Sequence, residues 1–288
     1  MKTQSNEPLE RQLISIMGEH REDSYATQRK RFYELRAAAR EIKERFGLQK
    51  WDNLGRKHVE FLVGRWKDSK LEPRTVEQKL THFRWLLKAL GKPMLLPRTN
   101  AELGIAPGPR HTRQGKVISE EKLAAVLDKI GDPRIQAMVL LARHLGMRFE
   151  EAALFRAWKD WLGGGRAWIK RGAKGGNVRY LNLYNDRQRK ALGNARKLAS
   201  SDSGLIPREF PTYEKWRQYV YGELRKAGLG KEFDATVQDL RRTYIVERMD
   251  YLIHVRHLDP QEAAEIVARE VGHHRTEVLQ WYVEVGAC

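Results

Sequence analysis

The stretch "HLGMRFEEAALF", residues 144–155, joins a helix stop, an arginine and the start of a new helix. Gly146 closes an apolar helical run, as glycine commonly does, and Arg148 then opens the next segment. Helix starts offer free backbone N–H groups and a positive dipole end, and an arginine beside them adds a forked donor suited to phosphate. Glu151 is spaced to orient that arginine. Taken alone, the same residues also fit a surface Arg–Glu pair.

A second pair lies in "VQDLRRTYIVERM", residues 237–249, which has the spacing of an amphipathic helix. Gln238 and Arg241 are three positions apart, so they share one face of that helix. Alternatively, the arginines of this helix are simply solvated. The residues expected to face the core are Leu240, Ile245 and Met249.

Between these stretches, "RAWIKRG" and "NVRYLNL" predict two short strands around "AKGG", which is typical of a β-hairpin with a glycine turn. Lys174 lies at the predicted tip, where the neighbouring glycines allow close approach to another backbone. A lysine whose pKa is lowered by nearby cations can also act as a general acid. Lys170 and Arg171 compete for the same role.

The chain ends in "VGHHRTEVLQWYVEVGAC", residues 271–288, where Tyr282 follows His273 by nine positions on a predicted short helix. The segment is either a terminal helix with an aromatic anchor or the carrier of a nucleophile. His273 and His274 are adjacent, so they lack the i, i+4 spacing of a zinc-binding helix. We expect no metal site and no cofactor.

Composition favours a nucleic-acid partner, because the chain has 54 Lys and Arg residues but only 37 Asp and Glu residues, for a net charge of +17. A generically basic surface is the alternative. The charge is uneven: residues 21–100 hold 20 basic and 10 acidic side chains, whereas residues 254–288 hold three arginines and six acids. If the closing segment acts on DNA, the rest of the protein must therefore bring it there.

The length of 288 residues suggests two domains. We expect an N-terminal extension over residues 1–20, an all-helical domain over residues 21–100, a Pro- and Gly-rich linker over residues 101–116, and a mostly helical domain with one small antiparallel sheet over residues 117–288. Phe83 and Trp85 of the first domain are expected in its core rather than stacked on bases.

No apolar run is long enough to cross a bilayer, and the polar N-terminus lacks the apolar region of a signal peptide. The single cysteine, Cys288, excludes an internal disulfide framework and a cysteine-based zinc site. We therefore expect a cytoplasmic protein, associated with the nucleoid when it is bound to DNA, and no membrane partner.

Taken together, "GMRFEE", "AKGG", "QDLR" and "VGH" with its following tyrosine resemble the motifs of the tyrosine recombinase (phage integrase) family, in order and spacing, over roughly residues 24–288. The resemblance implies a mainly α fold, with a helical core-binding domain that clamps DNA and a mostly helical catalytic domain with a small antiparallel sheet. It implies a site-specific recombinase that acts without metal or ATP, on double-stranded DNA, as a dimer on each site and a homotetramer in the synaptic complex.

The resemblance also implies roles for individual residues. Arg148 and Arg241 would hold the scissile phosphate, Lys174 would protonate the leaving 5′ oxygen, and His273 would assist. Tyr282 would be the nucleophile of a 3′-phosphotyrosyl intermediate. The chain departs from the family at Gln238, where the usual residue is histidine. Glutamine donates hydrogen bonds but does not shuttle protons at neutral pH.

Two other functions stay open from the sequence. A relaxase similar to type IB topoisomerases would use the same chemistry without a defined site. A DNA-binding protein that keeps the fold without activity would account for Gln238.

Overall fold

The computed structural model describes residues 7–106, 116–173, 176–200 and 202–273. Lys174 and Tyr282 lie outside these residues. The chain divides into two compact units, Met1–Thr112 and Arg113–Cys288. Within the described ranges, no helix is long and apolar enough to cross a membrane.

In the described residues of the first unit, 7–106, all regular structure is helical. Ser24 begins its longest helix, since its Oγ accepts a hydrogen bond from the backbone N–H of Thr27 at 3.3 Å. Gly47 ends that helix with φ of +66°. The α-helices are α1 (Pro8–Glu19), α2 (Tyr25–Phe46), α3 (Arg56–Asp68) and α4 (Pro73–Ala89), with 3-10 turns at Trp51–Asn53, Pro93–Leu95 and Ala101–Leu103.

The apolar faces of these helices form one core. Phe83 is fully buried in it, as predicted. Trp85 packs against its edge, and the guanidinium of Arg31 lies 4.1 Å from the centre of the Trp85 ring. Both aromatic residues are therefore engaged within the unit.

Helix α1 packs into the same core. Leu9 and Leu13 are buried there. Glu10 is buried as well, and its Oε1 lies 2.7 Å from Nε of Arg36 and 3.1 Å from Nε of Arg40. This helix is accordingly described as part of the first unit.

The second unit is mostly helical with a two-stranded antiparallel sheet, as predicted. A π-type turn, Tyr251–Val255, follows the helix of the "VQDLRRTYIVERM" stretch. The elements are α5 (Glu120–Asp128), α6 (Pro133–Leu145), α7 (Phe149–Leu154), α8 (Ala157–Asp160), β1 (Arg166–Ile169), β2 (Arg179–Asn182), α9 (Asp186–Leu198), α10 (Tyr213–Lys226), α11 (Val237–Asp250) and α12 (Pro260–Val271).

Helix α6 is the centre of this unit, because it packs against both α9 and α11 and is buried along most of its length. Its Arg143 is only 1% exposed and is paired rather than isolated. Both Nη atoms bond Glu247 of α11, at 2.8 and 2.6 Å, and Nη2 also bonds Glu120 of α5 at 2.8 Å. The arginine thus joins three helices through charge-assisted hydrogen bonds.

The sheet presents its apolar residues to the core. Ala167 pairs with Leu181, and Ile169 pairs with Arg179, in the antiparallel register of β1 and β2. These inward positions are buried, and the alternate positions, such as Trp168 and Tyr180, are exposed. Arg179 is therefore a charged residue at an inward-facing position of a strand.

Candidate active site

The site begins where α6 ends. Gly146 has φ of +61°, and a Cβ at this position would lie 2.4 Å from Cδ1 of Tyr244. Glycine is needed both for the left-handed conformation and for the close approach. The chain then turns so that Arg148 is the N-cap residue of α7.

Glu151, in the first turn of α7, fixes Arg148 in place. Its Oε2 accepts the backbone N–H of Arg148 at 2.6 Å, and its Oε1 accepts Nη1 of the same residue at 2.8 Å. The orienting role that the sequence suggested for Glu151 is therefore present as two hydrogen bonds. The Arg148 side chain remains 26% exposed, so an approaching anion can reach its guanidinium.

Two more guanidinium groups surround the same carboxylate, which is fully buried. Arg179 bonds both oxygens, Nη1 to Oε1 at 2.8 Å and Nη2 to Oε2 at 2.7 Å. Nη1 of Arg241 lies 3.6 Å from Oε2. We call Glu151 with Arg148, Arg179 and Arg241 the arginine cluster.

The charge balance of the arginine cluster favours an anion. Burial by itself raises the pKa of Glu151, but the hydrogen bonds and charge of Arg179, with the charge of Arg241, outweigh burial and hold the pKa below its usual value. The carboxylate is therefore ionised at neutral pH. The carboxylate carries one negative charge and the three arginines carry three positive charges. The cluster therefore keeps a net positive charge that can bind a phosphate.

Arg241 is buried on α11 and links two helix ends. Its Nη1 donates to the carbonyl of Gly146 at 2.6 Å, and its Nη2 donates to the carbonyl of Val271 at the end of α12. These carbonyls lack partners within their own helices, so the arginine satisfies them. The end of α6 and the end of α12 are thereby held on either side of one guanidinium.

His273 follows α12 directly. Gly272 ends the helix with φ of +64°, and the backbone N–H of His273 donates to the carbonyl of Ala268 at 2.8 Å. Burial, together with the positive charges of Arg241, Arg148 and Arg179, lowers the pKa of His273 to about 4. The imidazole is therefore neutral at pH 7 in the free protein.

Arg148, Gln238 and Arg241 line one cleft of about 240 Å³, so the structure brings these predicted site residues together. Gln238 is exposed in the first turn of α11, whereas Arg241 is nine-tenths buried on the same face. His273 lines a separate, larger cleft of about 690 Å³ together with Arg179. The other walls of the smaller cleft include Glu150, Tyr213, Arg217 and Tyr221.

Sequence reasoning missed Arg179, which donates two hydrogen bonds to Glu151, as many as Arg148 does. A signal was present, since the alternation of β2 places this arginine on the same inward face as Leu181. A charge at such a position needs a buried partner, and here the partner is Glu151.

A second buried network, also unpredicted, supports the end of α12. Arg248 donates to both oxygens of Glu270, at 3.0 and 2.9 Å, and the hydroxyl of Tyr244 donates to Oε2 at 2.9 Å. The carbonyl of Glu270 accepts Nε of Arg179 at 2.8 Å. The two networks therefore share one residue at the last turn before His273.

Within the part of the chain that the structure describes, no group of three or more His, Cys, Asp or Glu side chains is arranged to hold a metal ion.

Comparisons with known proteins match both units of the chain. A family model described as "Phage integrase, N-terminal" matches residues 7–96, and one described as "Integrase" matches residues 110–229. No curated protein sequence matches the chain.

Solved structures are similar over nearly the whole chain. The integrase of the transposon Tn1549, in complex with transposon right end DNA, is 13% identical with a TM-score of 0.64, over 96% of this chain and 95% of that one. A lambda integrase fragment, a dimer bound to a COC′ core site, is 13% identical with a TM-score of 0.62, over 93% of each chain. The XerH recombinase bound to difH is 17% identical with a TM-score of 0.57, over 95% of this chain and 80% of that one. At such identities the likeness establishes the fold, and with the two family matches the chain belongs to the tyrosine recombinase (phage integrase) family.

Proposed function

We propose that this protein is a site-specific DNA recombinase that cleaves and rejoins DNA through Tyr282. The observation that carries the proposal is the arginine cluster, in which Arg148 and Arg241 are fixed on one buried carboxylate and open onto one cleft. Two guanidinium groups held in this way provide charge-assisted bonds to the non-bridging oxygens of a phosphodiester.

The reaction balances without an external energy source. The hydroxyl oxygen of Tyr282 attacks phosphorus, the bond from phosphorus to the 5′ oxygen breaks, and the 5′ oxygen takes up a proton. The products are a 3′-phosphotyrosyl bond and a free 5′-hydroxyl. Attack by a 5′-hydroxyl reverses the step, so one phosphodiester is exchanged for another and neither ATP nor a metal ion is required.

In this proposal, different groups handle the proton that the tyrosine loses and the proton that the leaving 5′ oxygen gains. The tyrosine hydroxyl has an unperturbed pKa of about 10 and must lose its proton on attack. His273 is neutral at pH 7 and accepts a hydrogen bond or a proton from it. Lys174 supplies the proton to the leaving oxygen. Gln238 donates a hydrogen bond to the phosphate and takes no part in proton transfer.

The proposed partner is double-stranded DNA, bound mainly through its phosphates. The net charge of +17 supports this, and binding should weaken steeply as salt rises. One lambda integrase structure is a dimer bound to a COC′ core site, and another is a tetramer bound to a Holliday junction. We propose the same stoichiometry here: a dimer on each site and a homotetramer in the synaptic complex.

The test begins with the DNA site, which is selected from random-sequence duplexes by binding to the full chain. Duplexes that carry the selected site and a nick near each candidate cleavage position then trap covalent complexes. The proposal predicts an SDS-resistant protein–DNA adduct that Tyr282→Phe abolishes. A well-bound site that gives no adduct at any nick position would identify a DNA-binding protein without cleavage activity. Relaxation of supercoiled plasmids that lack the site would identify a topoisomerase-like relaxase.

A further inference from the structure

We propose that Arg179, on β2, is a positioning residue of the cleavage site, which holds Arg148 through Glu151 and holds His273 through the end of α12. The proposal rests on the recombinase function proposed above. Arg179 is 8% exposed. Its side chain is directed to protein groups, and it does not line the cleft of about 240 Å³ that contains Arg148 and Arg241.

Each guanidinium nitrogen of Arg179 donates a hydrogen bond. Nη1 and Nη2 bond the two oxygens of Glu151 at 2.8 and 2.7 Å, and Nε bonds the carbonyl of Glu270 at 2.8 Å. This bidentate geometry fixes the plane of the Glu151 carboxylate, which lysine, with a single ammonium group, does not do.

The orientation of Glu151 determines the orientation of Arg148. Both oxygens that receive Arg179 also receive Arg148, through its Nη1 and its backbone N–H. If the carboxylate rotates, these two bonds to Arg148 lengthen or break. Arg179 therefore acts on the phosphate-binding arginine without touching the phosphate.

Arg179 acts on His273 through a second contact. Its bond to the Glu270 carbonyl holds the last turn of α12, and its Cδ lies 3.2 Å from the place of a Cβ on Gly272. His273 is the next residue along the chain. Arg179 is also the first residue of β2, five positions after Lys174, so it fixes the strand that leaves the predicted turn.

The charge of Arg179 contributes to the state of His273. The charged groups that act on this imidazole are Arg241 on α11, Arg148 and Glu151 on α7, and Arg179 on β2. The arginines lower its pKa, and Glu151 raises it. Removal of the Arg179 charge should therefore move the pKa of His273 upward from about 4.

The experiment compares Arg179→Lys and Arg179→Met with the wild-type full chain. Arg189→Met is the matched control, since Arg189 is an exposed arginine of α9 that pairs with Asp186 at 3.3 Å.

Folding of each variant is checked by circular dichroism and thermal unfolding. Adduct formation is then measured in single turnover on the nicked, selected duplex at saturating protein. For Arg179→Lys we expect a folded protein that binds the duplex like the wild type and cleaves about 100-fold more slowly, as a misplacement of catalytic groups by about 1 Å would cause. The control should cleave at the wild-type rate.

A second readout does not depend on cleavage. NMR titration of ¹³C-labelled histidines, with His273→Gln to assign the signal, measures the pKa of His273 in each variant. We expect it to rise in Arg179→Met and to stay close to the wild-type value in Arg179→Lys.

A folded Arg179→Lys protein that cleaves at the wild-type rate would overturn the proposal, as would an unchanged His273 pKa in Arg179→Met. Unfolding of both variants would assign Arg179 to stability alone and would also overturn it. Absence of an adduct with the wild-type chain would refute the recombinase function instead, and the His273 titration would still decide whether Arg179 acts on this histidine.

Discussion

At the scale of residues, the site depends on one buried carboxylate that three arginines share. Removing one partner of a buried ion pair leaves uncompensated charge, which costs more than the pair contributes to stability. Glu151 is fully buried and accepts hydrogen bonds from Arg148 and Arg179. Removal of its negative charge would leave these arginines without their buried counter-charge.

Substitution of this carboxylate should therefore destabilise the protein. For Glu151→Gln we expect a loss of about 3–5 kcal/mol in the free energy of unfolding, measured by urea denaturation. Glu150→Gln is the control, because the Glu150 side chain is exposed in the same turn of α7. That change should stay within about 0.5 kcal/mol of wild type. Equal stabilities for the two variants would contradict the account of the cluster.

Gln238 is the residue at which this chain departs from its family. It is exposed on the cleft that Arg148 and Arg241 also line. If glutamine limits proton transfer, Gln238→His should speed single-turnover adduct formation, with the gain disappearing at high pH as the imidazole loses its proton. An unchanged or lower rate across the pH range would indicate a site adjusted to glutamine.

The sequence predicted some of these residues and not others, for a physical reason. Arg148 and Arg241 lie beside local features, a helix stop and an amphipathic face, that are legible in the sequence. Arg179 acts through Glu151, which lies 28 positions away in the sequence. Glu270 acts through Arg248, which lies 22 positions away. Spacing along the chain does not reveal such pairs.

At the scale of elements, the ends of helices build the site. Helix α6 ends at Gly146, α7 begins at Arg148, and α12 ends at Gly272. Arg241 joins the first and last of these ends through their carbonyls. Helix stops and starts were predictable from glycine and from capping residues. Their convergence was not, because it depends on how α6, α11 and α12 pack.

Gly146 gives the element scale a direct test. Its backbone is left-handed, and Cβ of an alanine would meet Tyr244 at 2.4 Å. Gly91, after α4, has a similar φ of +70° with open space around it. Gly91→Ala should therefore cost only the backbone strain, about 1–2 kcal/mol. Gly146→Ala should add about 1–3 kcal/mol of overpacking and slow adduct formation.

Chemical denaturation of both glycine variants measures this difference, and the adduct assay measures the effect on the site. Equal losses of stability would show that Tyr244 moves aside without cost. In that case the close approach at the end of α6 would have no part in holding Arg241.

At the scale of the whole molecule, the protein is basic but the segment that carries the proposed nucleophile is acidic. The net charge is +17, yet residues 254–288, which include the proposed nucleophile, hold three arginines and six acids. Affinity for DNA must then come from the rest of the chain. The fold class was predictable at this scale, because helical periodicity and one glycine-turn hairpin dominate the sequence.

The central claim is that Tyr282 forms a covalent bond with DNA at a phosphate held by Arg148 and Arg241. The most direct measurement is peptide mass mapping of the adduct trapped on a nicked, selected duplex. The account predicts a DNA 3′-phosphate attached to Tyr282, with a free 5′-hydroxyl on the released strand, and no adduct with Tyr282→Phe. A bond to any other residue, or to the 5′ side of the break, would contradict it.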